Sequence, residues 1–331
     1  MRLRFLLIAL LGVALAVYLI FNIGFSAVFS AALRIGWGGF VITCLYALAL
    51  YVFLGSAWYV LVPGLTWRRM WTFVWGRIVR DSAAEVLPFS QVGGFVIGAR
   101  ATILNGVPAR LAFASTIVDV TTEMVAQIAY IALGLTILRQ RVPMTPLNTS
   151  LVNTLLVGLV VGVFVGIAFI VVQNKSTWIT DKLADRFLPR AFAHAAAVAE
   201  ALRAIYRQPM RVVLSIVMHM VGWIGSAMVT FIAALLIGAN VDLPGMIALD
   251  SLVFAIRTAG FVVPNALGVQ EAAYALLGPL LGVPPEMALA VSLLRRARDI
   301  AIGIPTLFIW QAWEGKRAFA EPGSDSESLQ N

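Results

Sequence analysis

Apolar stretches as long as a lipid bilayer is thick limit the fold of this chain more than any other feature. A helix needs about 20 predominantly apolar residues to cross the hydrocarbon core. The predicted full spans are 5–23, 38–62, 110–138, 151–172, 211–237 and 286–312. Because 61% of the residues are hydrophobic and only 12% are charged, we reject the alternative of a soluble fold with a very large core. The chain is predicted to be an all-α polytopic membrane protein.

Two further apolar regions, 70–104 and 244–282, are interrupted by proline and glycine near their middle. The interruption reads EVLPFSQVGGF in the first region and FVVPNALGVQE in the second. Broken helices are tolerated at membrane depth where protein or a water-filled cavity satisfies the freed backbone groups. We therefore predict two broken hairpins, either re-entrant or built from two short tilted helices each. The predicted hinge residues are Pro88, Gly93, Gly94, Pro264 and Gly268.

The two broken regions align with each other at a shift of 176 residues. Ten residues are identical between 82–123 and 258–299, among them a GVP tripeptide in each. We predict repeat cores at about 76–138 and 252–314. An odd number of full spans separates them, so they are predicted to be inverted, an architecture that places a transporter's binding site at the repeat interface. The alternative is a duplicated scaffold that persists without transport.

Charged side chains lie inside these apolar segments, at the predicted midplane of the bilayer. Asp119 and Glu123 align with Arg295 and Asp299 under the repeat. Because a charge at the centre of a membrane helix costs about 2.5–3.5 kcal/mol, we predict that the two carboxylates of the first repeat face Arg295 and Arg298. Such a cluster either is a structural knot of ion pairs or lines a hydrated cavity. The candidate cavity and substrate-binding residues are Asp119, Glu123, Arg257, Asn265, Gln270, Glu271, Arg295, Arg298 and Asp299.

The second interruption is predicted to supply hydrogen bonds to a substrate. A short helix after Gly268 would point its first amides into the cavity, which suits an anionic or polyhydroxylated head group. Asn265 either caps this half-helix or binds the head group together with Gln270. Arg257 is expected to pair with Asp250, two helical turns away along the chain.

Motifs for metal or nucleotide chemistry do not occur in the sequence. Cys44 is the single cysteine, only two histidines are present, and no HExxH, Walker A or GxSxG pattern is found. We therefore expect no cofactor, no metal site, no nucleic-acid partner, no ATP hydrolysis by this chain and no enzymatic activity.

Positive charge predicts the orientation in the membrane. Most arginines and lysines fall outside the spans on one predicted side, among them Arg77 and Arg80 after the second span, so the positive-inside rule places both termini in the cytoplasm. The polar segment 176–208 is predicted to form two short amphipathic helices, broken at Pro189, on the cytoplasmic surface. Residues 1–313 are predicted to form a single integral membrane domain, and 314–331 a disordered cytoplasmic tail.

The segment FVVPNALGVQEAAYALLG and the downstream SLLRRARDI resemble the membrane region of lysylphosphatidylglycerol synthases and its stand-alone relatives. Pro264, Gly268 and Glu271 match the pattern of that superfamily, while Asn265 and Ala266 stand where it usually has glycines. The resemblance covers roughly 5–315 and looks closest to hopanoid-biosynthesis-associated, HpnL-type membrane proteins of Gram-negative bacteria.

The resemblance implies a flippase-like protein of the bacterial inner membrane that moves hopanoids, which are pentacyclic sterol-like lipids, towards the outer membrane. The implied partners are a membrane lipid (hopanoid or phospholipid) and other lipid-transport or hopanoid-biosynthesis proteins. Because the chain ends just after the last span, the aminoacyl-transfer domain of the synthases is absent and lipid aminoacylation is not expected.

Three functions compete at this point. The first is a lipid transporter or flippase with a polar central cavity. The second is a membrane-embedded lipid-modifying enzyme that uses Asp119, Glu123 and Glu271 as acids or bases. The third is a scaffold that organises a lipid-biosynthetic complex through 176–208. The energy source is open between a proton-coupled cycle through one of these carboxylates and passive movement driven by a partner.

Overall fold

The computed structural model describes residues 14–15, 17–87, 90–143, 145–184, 189–260 and 263–320. Regular structure in these residues is helical throughout. The helices are α1 (Phe25–Leu33), α2 (Gly36–Val60), α3 (Met70–Val86), α4 (Ser90–Leu104), α5 (Ala109–Arg141), α6 (Pro146–Ala184), α7 (Pro189–Tyr206), α8 (Pro209–Leu236), α9 (Leu243–Ala259), α10 (Val269–Leu277) and α11 (Pro285–Ala320). The all-α class predicted from the sequence is therefore confirmed.

Among the described residues, four helices are long and apolar enough to cross a membrane. They are α2, α5, α8 and the Pro146–Gln173 part of α6, and they coincide with predicted spans. Helix α11 is also long enough, at 36 residues, but it is less apolar than these four because four charged residues lie near its middle. Of the predicted span 5–23, the structure describes residues 14–15 and 17–23, which are helical. The total of six full spans stays a prediction.

Prolines set the beginnings of four helices. Pro146, Pro189, Pro209 and Pro285 are the first residues of α6, α7, α8 and α11, where the missing N–H is not needed and the fixed φ suits a helix. Within segment 176–208, residues 176–184 belong to the long helix α6 and Pro189 begins α7; the predicted two short amphipathic helices on the cytoplasmic surface stay a prediction. In that segment Leu202 and Ile205 are buried in a cluster with residues of α5, so α7 packs onto the helical bundle.

The first interrupted region folds as two adjacent short helices, α3 and α4. At 17 and 15 residues they are about 23–26 Å long, less than the roughly 30 Å of the hydrocarbon core. The predicted hinge at Gly93 and Gly94 is wrong, because both residues lie within α4. Gly94 instead permits close packing: a Cβ there would lie 2.6 Å from the Arg80 carbonyl oxygen of α3. Pro88 lies outside the described residues.

The second interrupted region is broken more strongly. Helix α9 ends at Ala259, a single 3₁₀ turn covers Pro264–Ala266, and the nine-residue α10 follows Gly268. The predicted hinge residues Pro264 and Gly268 therefore lie within the break between α9 and α10. Helix α10 is about 14 Å long, too short to cross the hydrocarbon core alone.

The two predicted repeats have the same local structure around their GVP tripeptides. Gly106 and Gly282 have φ of 83° and 84°, a region that glycine adopts readily. The turns also share their hydrogen bonds at the 176-residue shift: the amide of Val107 donates to Thr102 O, and that of Val283 donates to Gly278 O. Each turn leads into a long charged helix, α5 or α11. The inverted orientation of the repeats stays a prediction.

Candidate functional site

A cavity of about 330 Å³ lies inside the bundle, between α2, α3, α4, α5, α8, α9 and α11. Its wall combines charged side chains with aromatic ones, which include Tyr51, Phe95, Trp223 and Phe254. The charged residues of the lining are Arg77, Arg80, Asp81, Glu85, Glu123, Arg295, Arg298 and Asp299. Because both predicted repeats contribute charges, the cavity lies where the repeat argument places a binding site.

One side of the cavity is closed by the α3–α5 cluster, which consists of Arg77, Arg80, Asp81, Asp119 and Glu123. The two arginines are three residues apart and share a face of α3, while the two acids of α5 are four apart and share another. Arg80 Nη1 lies 2.6 Å from Asp119 Oδ2, and Arg77 Nη2 lies 2.6 Å from Glu123 Oε1. Glu123 Oε2 also accepts from Arg80 Nη2 at 2.6 Å. Both arginines are buried, so the cluster is a network and not a set of solvated pairs.

The predicted pairing of Asp119 and Glu123 with Arg295 and Arg298 is wrong. Arginines of α3 take that place, and sequence reasoning had assigned them to the cytoplasmic positive charges because they follow the second span. The missed signal is their position: Arg77 and Arg80 lie inside the apolar region 70–104 at helical spacing, which indicates a buried charged face.

Arg295 has a different partner. Its Nη1 lies 2.6 Å from Oδ1 of Asp250 on α9, and the fully buried Asp250 also accepts from the hydroxyls of Tyr130 and Thr230. The Arg295 guanidinium carbon lies 4.7 Å from the ring centroid of Phe254, a cation–π distance. The carboxylate of Asp250 therefore accepts hydrogen bonds from side chains of three helices.

Arg257 does not pair with Asp250, as the sequence had suggested, but with Glu85 at the end of α3 (2.8 Å). The side-chain amide of Asn265 donates to the backbone carbonyl oxygen of the same Glu85. Asn265 therefore bridges the two interrupted regions and does not cap α10. Arg298 pairs with its own neighbour Asp299 at 2.6 Å, and both line the cavity.

The start of α10 is closed by the protein itself. Glu271 accepts from the Gly268 amide at 2.9 Å and lies 2.5 Å from Arg296 Nε. Gln270 donates to the Ser292 hydroxyl at 2.9 Å. Both residues are buried and neither belongs to the cavity lining. The predicted role of this helix start and of Gln270 in head-group binding therefore has no geometric support, and Glu271 is the internal cap of α10.

Asn265 and Ala266 have φ of 50° and 47°, the left-handed region that disfavours side chains other than those of Asn and Asp. These are the two positions at which the superfamily pattern has glycine. We expect Ala266→Gly to raise the free energy of unfolding by about 1 kcal/mol, since glycine removes the strain. The matched control Ala273→Gly, in the interior of α10, should lower it by about 1 kcal/mol. Thermal unfolding in detergent measures both, and a destabilising Ala266→Gly would contradict the assigned strain.

His219 of α8 was not singled out in the sequence. It is fully buried, its Nε2 lies 3.0 Å from Asp119 Oδ1, and it lines the cavity. Only the spacing of the apolar residues around it in span 211–237 indicated a membrane-embedded imidazole.

The nine candidate residues are thus distributed over three places. Glu123, Arg295, Arg298 and Asp299 line the cavity; Asp119 and Arg257 are bound to lining residues; Asn265, Gln270 and Glu271 stabilise the second interruption. In the described part of the chain, no group of three or more His, Cys, Asp or Glu residues is arranged to hold a metal ion.

The comparisons agree with the sequence pattern. Residues 6–305 match the family model described as the lysylphosphatidylglycerol synthase TM region. No curated protein and no solved structure matches the chain.

Proposed function

We propose a function from the premise that this chain belongs to the lysylphosphatidylglycerol synthase TM-region family, a family of membrane proteins related to lipid handling. The chain is a multi-pass membrane protein that acts as a lipid transporter or flippase. It takes the polar end of a lipid through the central cavity and so moves hopanoids, or a related polar lipid, out of the bacterial inner membrane. Both termini lie in the cytoplasm, and other lipid-transport or hopanoid-biosynthesis proteins are its partners.

The observation that carries this proposal is the cavity with charges from both repeats. A polar head group loses its hydration when it enters hydrocarbon, and each unpaired polar group then costs several kcal/mol. The lining offers guanidinium and carboxylate groups, which are supplied by α3, α5 and α11. These groups replace water during passage and lower the barrier.

The size of the cavity indicates which part of the lipid enters it. A volume of about 330 Å³ corresponds to roughly ten water molecules at about 30 Å³ each. It accommodates a polyol or phosphate head group. We infer that the head group passes along the charged wall while the apolar part of the lipid stays in the bilayer.

The geometry gives less support to lipid modification. Asp119 and Glu123 are each bound by arginine, and Glu271 lies away from the cavity. General acid–base catalysis needs a carboxyl group within reach of the substrate proton. We therefore expect no chemical change in the transported lipid.

Reconstitution into liposomes tests the proposal. Two probes are used: a phosphatidylethanolamine with a fluorescent head group that external dithionite bleaches, and a hopanoid with vicinal hydroxyls that external periodate cleaves. We expect the hopanoid to reach the other leaflet at least about tenfold faster than in protein-free vesicles, a barrier reduction of about 1.4 kcal/mol or more.

The other outcomes separate the alternatives. Movement of the phosphatidylethanolamine alone would keep the transporter and reject hopanoid as its cargo. Recovery of a chemically modified lipid by mass spectrometry would favour the enzyme. Unchanged leaflet distributions of both probes would reject transport, and a complex lost from cells on deletion of 176–208 would then favour the scaffold.

A further inference from the structure

We propose that His219 is a proton-binding site that couples lipid movement to a proton gradient, an inference that rests on the proposed transport. The imidazole is fully buried, lines the cavity and is bound to Asp119 of the α3–α5 cluster. Among the described residues it is the one histidine whose side-chain surroundings are defined. The hydrogen bond to Asp119 connects a ring nitrogen that can bind a proton with the charged residues along the proposed head-group path.

The α3–α5 cluster carries an excess of negative charge. It contains two arginines and three carboxylates that are bound to one another, so one negative charge is in excess. An uncompensated charge is costly in a buried site. His219 is hydrogen-bonded to one of the three carboxylates, and a proton on its ring supplies the missing positive charge.

The two ring nitrogens of His219 differ in their hydrogen bonding. Nε2 lies 3.0 Å from Asp119 Oδ1, and a neutral imidazole that donates from Nε2 leaves a lone pair on Nδ1. Nδ1 is buried and has no hydrogen-bond partner in the described part of the chain. A proton from the aqueous phase therefore binds at Nδ1 and forms the imidazolium, and its release restores the neutral ring without disturbing the bond to Asp119.

The other charged groups around the cavity do not remove the excess. Outside the α3–α5 cluster, the charged or titratable groups that line the cavity with His219 are Glu85, Arg295, Arg298, Asp299 and Tyr51. Beyond the α3–α5 cluster, each arginine in the ion-pair network is matched by one carboxylate; these pairs are Arg257–Glu85, Arg295–Asp250 and Arg298–Asp299. The network as a whole is therefore short of one positive charge, which indicates a stoichiometry of one proton.

Coupling to the head group follows from the shared carboxylate. Asp119 binds both His219 and Arg80. When His219 is protonated it neutralises Asp119, and Arg80 is freer to donate to a head group in the cavity. When the proton leaves, Arg80 returns to Asp119 and releases the head group. Binding of proton and lipid thus favour each other, as linkage requires for two ligands that act on one equilibrium.

The test uses the full chain in liposomes with the two lipid probes above and an entrapped pH-sensitive dye. At one proton per lipid, a gradient of one pH unit shifts the steady-state leaflet ratio by about tenfold. We expect this shift in the wild type, together with proton flux into the dye-containing lumen that depends on added lipid. His219→Gln retains a nitrogen donor for Asp119 but takes no proton, so the leaflet ratio should no longer follow the gradient.

The matched control is His194→Gln, which removes the other histidine of the chain and should respond to the gradient like the wild type. Wild-type lipid movement that ignores the gradient, without proton flux, would overturn the coupling and leave transport intact. A His219→Gln protein that follows the gradient normally would overturn the assignment to His219. If this variant does not fold, the wild-type dye measurement still decides the coupling. Absence of lipid movement under every condition would instead reject the proposed function.

Discussion

Replacing Arg80 by methionine is expected to lower the free energy of unfolding by about 3–5 kcal/mol, the range for removing one partner of a buried ion pair. Arg80 is 2% exposed and holds Asp119 and Glu123 at 2.6 Å each. Without it, two carboxylates of α5 stay in the bundle with one arginine between them. Methionine fills the volume, so the loss reports charge and hydrogen bonds more than packing. Unfolding in mixed micelles, followed by circular dichroism, measures the difference.

Arg100→Met is the matched control for this substitution. Arg100 also forms an ion pair, with Glu314 at 3.1 Å, but its side chain is 53% exposed. Exposed pairs contribute about 0–1 kcal/mol, so this variant should unfold close to the wild type. Equal effects of the two substitutions would mean that the α3–α5 cluster is hydrated enough to behave like a surface pair.

Hydropathy predicted the helices well because each membrane span depends mainly on its own residues. Predicted spans 38–62 and 211–237 differ by only a few residues from α2 and α8. The repeat also predicted local structure: Gly106 and Gly282 have the same backbone angles and equivalent hydrogen bonds. Such features are encoded within a short stretch of chain, which is why sequence reasoning reaches them.

The partners of the charges could not be predicted in the same way. Spacing on a helix fixes which side chains share a face, but the neighbour of that face depends on how the helices pack. The alignment of Asp119 with Arg295 suggested a pair between repeats. In the structure the acids of α5 pair with arginines of α3, and Arg295 of α11 pairs with an acid of α9. The long helix supplies the acids in the first case and the arginine in the second, so the signs of the two partners are reversed.

The burial of two arginines of α3 also affects the orientation that positive charge predicts. Arg77 and Arg80 had counted among the charges that predict the cytoplasmic side, yet both are buried against carboxylates. A buried, neutralised arginine carries no information about the side of a loop, because the positive-inside rule concerns charges in loops near the ends of spans. The predicted orientation therefore depends on the remaining arginines and lysines, mainly those in 175–211.

Removing Arg295 and Asp250 together is expected to preserve the fold and to slow lipid movement at least about tenfold, a barrier increase of about 1.4 kcal/mol. Arg295→Met alone leaves a fully buried carboxylate without its cation, which costs about 3–5 kcal/mol. Adding Asp250→Asn removes that charge while the amide still offers an oxygen to Tyr130 or Thr230. The double variant should therefore recover most of the lost stability, since neutral replacement of a buried pair is often tolerated.

The expected loss of lipid movement distinguishes a role of Arg295 in transport from a purely structural role. Arg295 faces the cavity, and with methionine in its place the α11 wall offers one guanidinium fewer to a head group. Arg141→Met with Asp242→Asn is the matched control, because this ion pair also attaches a helix to α9, in this case the end of α5, but is exposed and lies outside the cavity. It should keep both stability and lipid movement. If the Arg295–Asp250 double variant also moved lipid at the wild-type rate, the pair would be a structural knot, and the charges on α11 would serve only to join two helices.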